Sequence, residues 1–319
     1  MPSGQTLFFP ALAATPRAAE PVTFALPFAE GQLPMPEAFR LLDGERDLPV
    51  QARATSTWAD GSVRWLLART QVDLPGRKGK RIEWRVADGP DREDGTTLQV
   101  TNTMDGFTVD TGRLRARIPS SGEALLTGIT LDGQPVSGTL GAFHLTAGGE
   151  TLRAGGPSIT VEEHGPLAVT LRLDGWYAPD GWAQRVRLTF HAGKAYVEVA
   201  HRFVLHDLSG PKTLEGLSLD WLTDGQERPR LALGQGHYAT RIQSGAEPLS
   251  AALDPLQMFG QEHAAELFYG DFWASHTGPS GGAALSIHQA FQNFPVSLEV
   301  RPDGIRATLV PAEGEHAEI

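Results

Sequence analysis

Cysteine is absent from the 319 residues, which excludes disulfides, thiolate metal centres and a cysteine nucleophile. Long apolar runs are missing too. No stretch approaches the roughly 18 residues of a membrane helix. Basic charge is scarce, with 27 Lys and Arg against 38 Asp and Glu and a formal net charge of −11. Nucleic acid and anionic membranes are therefore disfavoured as main partners, because counterion release needs clustered cations. The single basic cluster, GRKGKR at Gly76–Arg81, reads as an exposed loop tip. The opening MPSGQTLFFPALAATPRAAEP has no basic segment leading into an apolar run, so no signal peptide is legible. The compartment stays open, extracellular or periplasmic if a leader has been removed. Helical periodicity is also rare: the one candidate, Pro248–Leu267, is broken by Pro255 and Gly260.

Turn punctuation and short alternating runs take the place of these features. Asp-Gly occurs ten times, and 36 Gly and 23 Pro add further breaks. Between the breaks, Leu167, Val169, Leu171 and Leu173 share one face. So do Trp182, Gln184, Val186, Leu188 and Phe190, opposite Arg185, Arg187 and Thr189. A third run aligns Val197, Val199, His201, Phe203 and Leu205. Period-2 alternation bounded by turn residues predicts antiparallel β structure. A hydrophobic content of 40% fills a sizeable core without staples. The stretch VADGPDREDGTT marks a junction. It separates a unit at 1–95, short enough for a β-barrel, from a longer one at 104–319, which reads as a large antiparallel β-sandwich.

The segment TWADGSVRWLL, Thr57–Leu67, predicts a type I′ hairpin at Asp60-Gly61 with a tryptophan on each arm. Val63, Trp65 and Leu67 alternate with Ser62, Arg64 and Leu66. Trp58 and Trp65 are expected to pack in or against the first unit's core, with Arg64 lying over an aromatic face or pairing with Asp60.

The order of these motifs resembles the exo-rhamnogalacturonan lyase family of polysaccharide lyases. The first half carries VTFALPFAEGQLP, FRLLDGERDLPVQARATSTWADGSVRWLL and VDLPGRKGK. These are similar to that family's N-terminal RIFT-type barrel. The second half carries VDTGRLRARI, VEEHGPLAVTLRLDG, RLTFHAGKAYVEVAHRF and FQNFP, similar to its central β-sandwich-like domain. The resemblance implies an all-β chain, a small RIFT-type barrel followed by the sandwich, working on an acidic polysaccharide such as rhamnogalacturonan. Members usually continue into a helical toroid, which residues 1–319 do not contain. Catalysis is therefore expected to lie elsewhere, with a helical catalytic domain or a larger assembly as partner.

β-Elimination needs a base, a group that neutralises the uronate carboxylate, and an acid for the leaving oxygen. Of the ten histidines, His144, His164, His191 and His316 read as exposed strand ends, turns or termini. His201 shares an apolar face and is either a hydrogen-bonded core residue or a groove residue. The richest segment is Phe268–Phe294, expected to be a hairpin turning at TGPSGG. It carries Tyr269, Trp273, His276, His288, Gln289, Gln292 and Asn293. Aromatic rings stack on sugar faces and amides bind hydroxyls, so Tyr269, Trp273, His276, His288, Gln292, Asn293 and His201 form the candidate substrate-binding set. The same composition fits a sandwich core. No GxSxG, Walker or HExxH pattern exists. His201 and His206 point to opposite faces of a strand, and no metal or cofactor is expected. Three functional readings stand: the β portion of a lyase-like protein, a non-catalytic carbohydrate-binding or adhesin module of a cell-surface or phage-like assembly, and a glycosidase with an unassigned carboxylate pair.

Overall fold

Turn pairs hand the chain from one short strand to the next, and a computed structural model shows where each run goes. It describes residues 5–10, 14–87, 98–177, 181–206, 213–223, 229–235, 241–253, 272–279, 281–290, 293 and 296–310. Among these residues the sole helical element is a 3-10 turn at Pro36–Ala38. The fold is all-β and its strand pairs are antiparallel. Within the helix candidate, Leu249–Leu253 is a strand, and 254–267 lies outside the described residues.

The chain divides into two compact units. The first comprises Met1–Gln99 with Val161–Thr170 and Thr189–Val197; the second comprises Val100–Thr160, Leu171–Leu188 and Glu198–Ile319.

The first unit is built on β1 (Gln5–Phe9), β2 (Arg17–Pro27), β3 (Phe39–Asp43), β4 (Arg46–Leu48), β5 (Val50–Thr57), β6 (Val63–Leu74) and β7 (Lys80–Val86). Two sheets, β1-β7-β3-β4 and β2-β6-β5, enclose one core of Phe28, Leu33, Phe39, Leu41, Leu66, Val72, Ile82 and Trp84. The Phe28 and Trp84 rings meet edge to face at 5.3 Å, the geometry favoured by aromatic quadrupoles.

The hairpin at Asp60-Gly61 forms, but not as type I′. Only Gly61 has positive φ (85°), whereas type I′ needs it at both central residues. The turn closes through Gly61 N–H to Trp58 O at 3.1 Å and Trp58 N–H to Ser62 O at 2.8 Å. The Asp60 carboxylate caps it, accepting from Ser62 N–H at 2.9 Å and Ser62 Oγ–H at 2.6 Å. Those two bonds hold the Asp60 pKa below its usual value. The Arg64 guanidinium lies 4.8 Å from the Trp58 ring centre.

The expected burial of Trp65 is overturned: the residue is 44% exposed. The β5–β6 register shifts twice, at Ala54/Ser56 and at Ser56/Thr57, opposite Trp65. Such bulges re-aim side chains. The inward series therefore restarts at Leu66 and runs through Ala68, Thr70, Val72 and Leu74.

Two distant chain segments complete this unit. Gln51 uses its whole amide. Its Oε1 accepts the Leu167 and Ala168 N–H groups at 3.0 and 2.9 Å. Its Nε2 donates to Glu163 Oε1 at 2.8 Å and Ala168 O at 3.1 Å. Glu163 also takes a two-pronged grip from Arg69, with Nε and Nη2 both at 2.9 Å. A Cβ on Gly165 would sit 2.3 Å from Gln51 Cδ, so a larger residue there would push the Gln51 amide away from these bonds. The second segment accepts Gln71 Nε2 on Ala192 O at 2.7 Å and donates Lys194 Nζ to Ala18 O at 2.9 Å.

The remaining strands begin with β8 (Gln99–Thr103), β9 (Gly106–Asp110), β10 (Leu114–Pro119), β11 (Ala124–Leu131), β12 (Gln134–Pro135), β13 (Thr139–Ala147) and β14 (Glu150–Arg153). A meander follows: β15 (Gly155–His164), β16 (Ala168–Trp176), β17 (Trp182–His191) and β18 (Val197–Leu205). The chain then runs through β19 (Gly216–Leu222), β20 (Arg230–Gln235), β21 (Arg241–Gly245), β22 (Leu249–Leu253), β23 (Trp273–Gly278), β24 (Gly281–Ser286), β25 (Val296–Arg301) and β26 (Gly304–Val310). The large sheet runs β22-β25-β26-β19-β13-β11-β10-β9-β8, and two further sheets run β15-β16-β17-β18 and β21-β20-β23-β24. Alternating inward residues such as Phe143, Leu145, Leu171, Leu173, Val186, Leu188 and Leu298 are buried. The second unit is sandwich-like.

Candidate functional site

The Phe268–Phe294 segment does supply a hairpin, with Trp273 paired to Ser286 and Gly278 to Gly281. Its candidate residues nevertheless go separate ways. Trp273 and His276 are three apart on β23, and odd spacing on a strand sends side chains to opposite faces. The Trp273 indole packs on the backbone of the next strand, where a Cβ on Gly234 would lie 2.1 Å from its ring. His276 is fully buried, with Nε2 2.9 Å from Pro302 O. His288 and Asn293 are exposed and close together: Asn293 Nδ2 donates to Gln289 O at 3.0 Å and His288 O at 3.4 Å. Tyr269 and Gln292 lie outside the described residues.

His201 sits in the second unit against Phe143 and Phe203, with ring centres at 4.3 and 4.7 Å. Its Nε2 is 3.0 Å from Tyr177 Oη, and Tyr177 donates in turn to Gln184 Oε1 at 2.8 Å. That direction makes Nε2–H the donor to Tyr177. Burial among the rings lowers the His201 pKa to about 4, and burial pushes the Tyr177 hydroxyl up. His201 is thus neutral near pH 7 and held in a packed polar network. Two histidines expected at exposed strand ends are corrected. His191 is buried. His144 lies mid-strand in β13, its Nδ1 3.8 Å from Asp220, with its pKa lowered by burial.

Polar groups that are both accessible and fixed gather on the opposite face of β16–β18. The pairing of Tyr177 N–H with Trp182 O aligns Asp174 with Arg185 and Arg172 with Arg187. The pairing of His206 N–H with Gly181 O continues this row to Arg202. Asp174 accepts Arg172 Nε at 2.8 Å and Arg185 Nε at 2.7 Å, so one carboxylate orients two guanidinium groups. Two residues beyond Asp174 on the same face, Trp176 is 50% exposed and stacks on His206 with ring centres 4.5 Å apart. Four arginines, the bridging Asp174, the exposed Glu198 four residues before Arg202 on β18, and an open indole therefore occupy one sheet face. Guanidinium forks match carboxylates, and an exposed indole presents an apolar plane to a sugar ring. The signal was legible as Arg172-Leu173-Asp174-Gly175-Trp176, whose even positions oppose the buried Leu171 and Leu173.

Comparison with known proteins bears on the other end of the chain. A family model described as the PcRGLX-like N-terminal RIFT barrel domain matches residues 11–73. This segment is a rhamnogalacturonan-lyase-like RIFT barrel domain. It contains β2 through most of β6 and the whole Trp58–Trp65 hairpin. A curated relative, the uncharacterized protein YetA of Bacillus subtilis (strain 168), is 21% identical over 230 residues, covering 66% of this chain and 26% of YetA. The chain spans about a quarter of the relative's length.

Proposed function

We infer that this chain is the β portion of a lyase-like protein that holds an acidic polysaccharide, with rhamnogalacturonan as the leading substrate class. The RIFT barrel match supplies the family context. The observation that carries the reading is the face where Asp174 fixes Arg172 and Arg185 beside the open Trp176–His206 stack. Carboxylates would pair with the arginines while a pyranose ring lies on Trp176. The elimination step is assigned to a helical catalytic domain outside residues 1–319, so this chain would bind and position without turning substrate over.

Calorimetric titration of rhamnogalacturonan fragments into the wild-type chain and into Trp176→Ala tests the reading. Weak wild-type binding, reduced about tenfold in the variant and weakened by salt, is expected. No ultraviolet absorbance from unsaturated uronate products should develop. Equal binding by both proteins would remove this face from the reading, and product formation would overturn the placement of catalysis elsewhere.

A further inference from the structure

The most distinctive motif of the barrel, TWADGSVRWLL, ends on a tryptophan that the core does not use. Trp65 is 44% exposed, while its neighbours Val63 and Leu66 are buried. Two register shifts in β5 are confined to the residues opposite it, so the strand irregularity serves to hold Trp65 outside. Its position is fixed further by Thr55, whose Oγ1 donates to Trp65 O at 3.2 Å.

The cross-strand partners define what surrounds the ring. Pro27 pairs with Trp65 and Ala25 with Leu67 on the β2 side. Ser56 pairs with Trp65 and Arg53 with Leu67 on the β5 side. Pro27, Ala25, Ser56 and Arg53 are all exposed, and Leu67 is half-buried. Arg53 thus stands diagonally across from Trp65, a separation that long side chains span. Arg53 has no ion-pair partner among the described residues. An apolar platform with a hydroxyl and an unneutralised guanidinium at its rim matches a uronate residue. The pyranose face covers the indole, and the carboxylate meets Arg53.

We propose that Trp65 and Arg53 form a second acidic-saccharide contact, located in the barrel and distinct from the Trp176 face. It rests on the saccharide reading above, and its test separates the two. The probes are rhamnogalacturonan oligosaccharides and, as a neutral control, rhamno-oligosaccharides. In a 1H–15N correlation spectrum of the full chain, the Trp65 indole N–H, assigned with Trp65→Phe, should shift saturably with the acidic probe. Trp65→Ala should weaken acidic binding about fivefold to tenfold. Arg53→Gln should weaken acidic binding by a similar factor and leave any neutral binding unchanged.

A silent Trp65 resonance, or unchanged affinity in both variants while Trp176→Ala loses binding, overturns this second contact and leaves the first reading standing. Absence of wild-type binding overturns both. Concentration-dependent dimerisation abolished by Trp65→Ala, with saccharide affinity unaffected, replaces the saccharide by a second copy of the chain. Trp65→Phe keeps an aromatic ring at an exposed position, so a folding defect does not confound the spectrum.

Discussion

Replacing His201 by Gln should flatten part of the acid sensitivity of this protein. His201 is packed between Phe143 and Phe203, and burial lowers its pKa from the ordinary 6.5 to about 4. The unfolded chain therefore binds a proton through a pH window in which the folded chain does not. Stability rises with pH wherever the unfolded state holds more protons. The contribution of a neutral His201 is fully present above about pH 6.5 and is lost as pH falls toward about 4. One whole pKa step is worth about 1.4 kcal/mol, so the limiting loss is about 3 kcal/mol. Allowing for the part of the ring that still reaches solvent, about 2 kcal/mol is the working figure. Urea unfolding of wild type and His201→Gln at several pH values between about 7 and 4 measures it. His144, whose pKa is also lowered, and the carboxylates contribute to both proteins and cancel in the difference. The wild type should lose about 2 kcal/mol more than the variant across the window. Parallel stability–pH curves would refute the argument that burial keeps this histidine neutral.

Three further outcomes follow from packing. Trp65→Ala should change stability by no more than about 1 kcal/mol, whereas Leu66→Ala, one residue on and fully buried, should cost about 2–5 kcal/mol; paired thermal melts read both. Glu163→Ala leaves Arg69 and the Gln51 amide without their shared acceptor and should cost about 1–3 kcal/mol, and a double-mutant cycle with Arg69→Met should show strong coupling. Gly234→Ala places a methyl group into the Trp273 ring and should destabilise by about 1–3 kcal/mol, with a change in indole fluorescence reporting the displaced ring.

The β architecture was legible because its signals are local. Period-2 runs such as Leu167–Leu173 and Trp182–Phe190 became the buried faces of β16 and β17. Trp65 escaped the same rule because a bulge depends on both strands of a pair, and the sequence of one strand carries no record of the partner's extra residue. His144 escaped because β13 extends farther than the turn residues suggest, whereas His191 does end β17 and escaped only because the side chain at that strand end is buried. In the candidate site, spacing was the neglected signal. Trp273 and His276 cannot share a strand face at an interval of three, whereas Arg172, Asp174 and Trp176 must. No pattern in Gln51 or Arg69 announces Glu163 as a shared partner, because both are ordinary outward residues of alternating strands.

The bonds from Gln51 to Glu163 and from Lys194 to Ala18 close over sequence separations of 112 and 176 residues. A ribosome adding about 5–20 residues per second delivers Glu163 on the order of ten seconds after Gln51. For that interval the nascent barrel carries Arg69 and Gln51 without their acceptor. Its first stretch is complete in order of synthesis long before its hydrogen bonding is complete, and a pause in translation near residue 100 would prolong that exposed state.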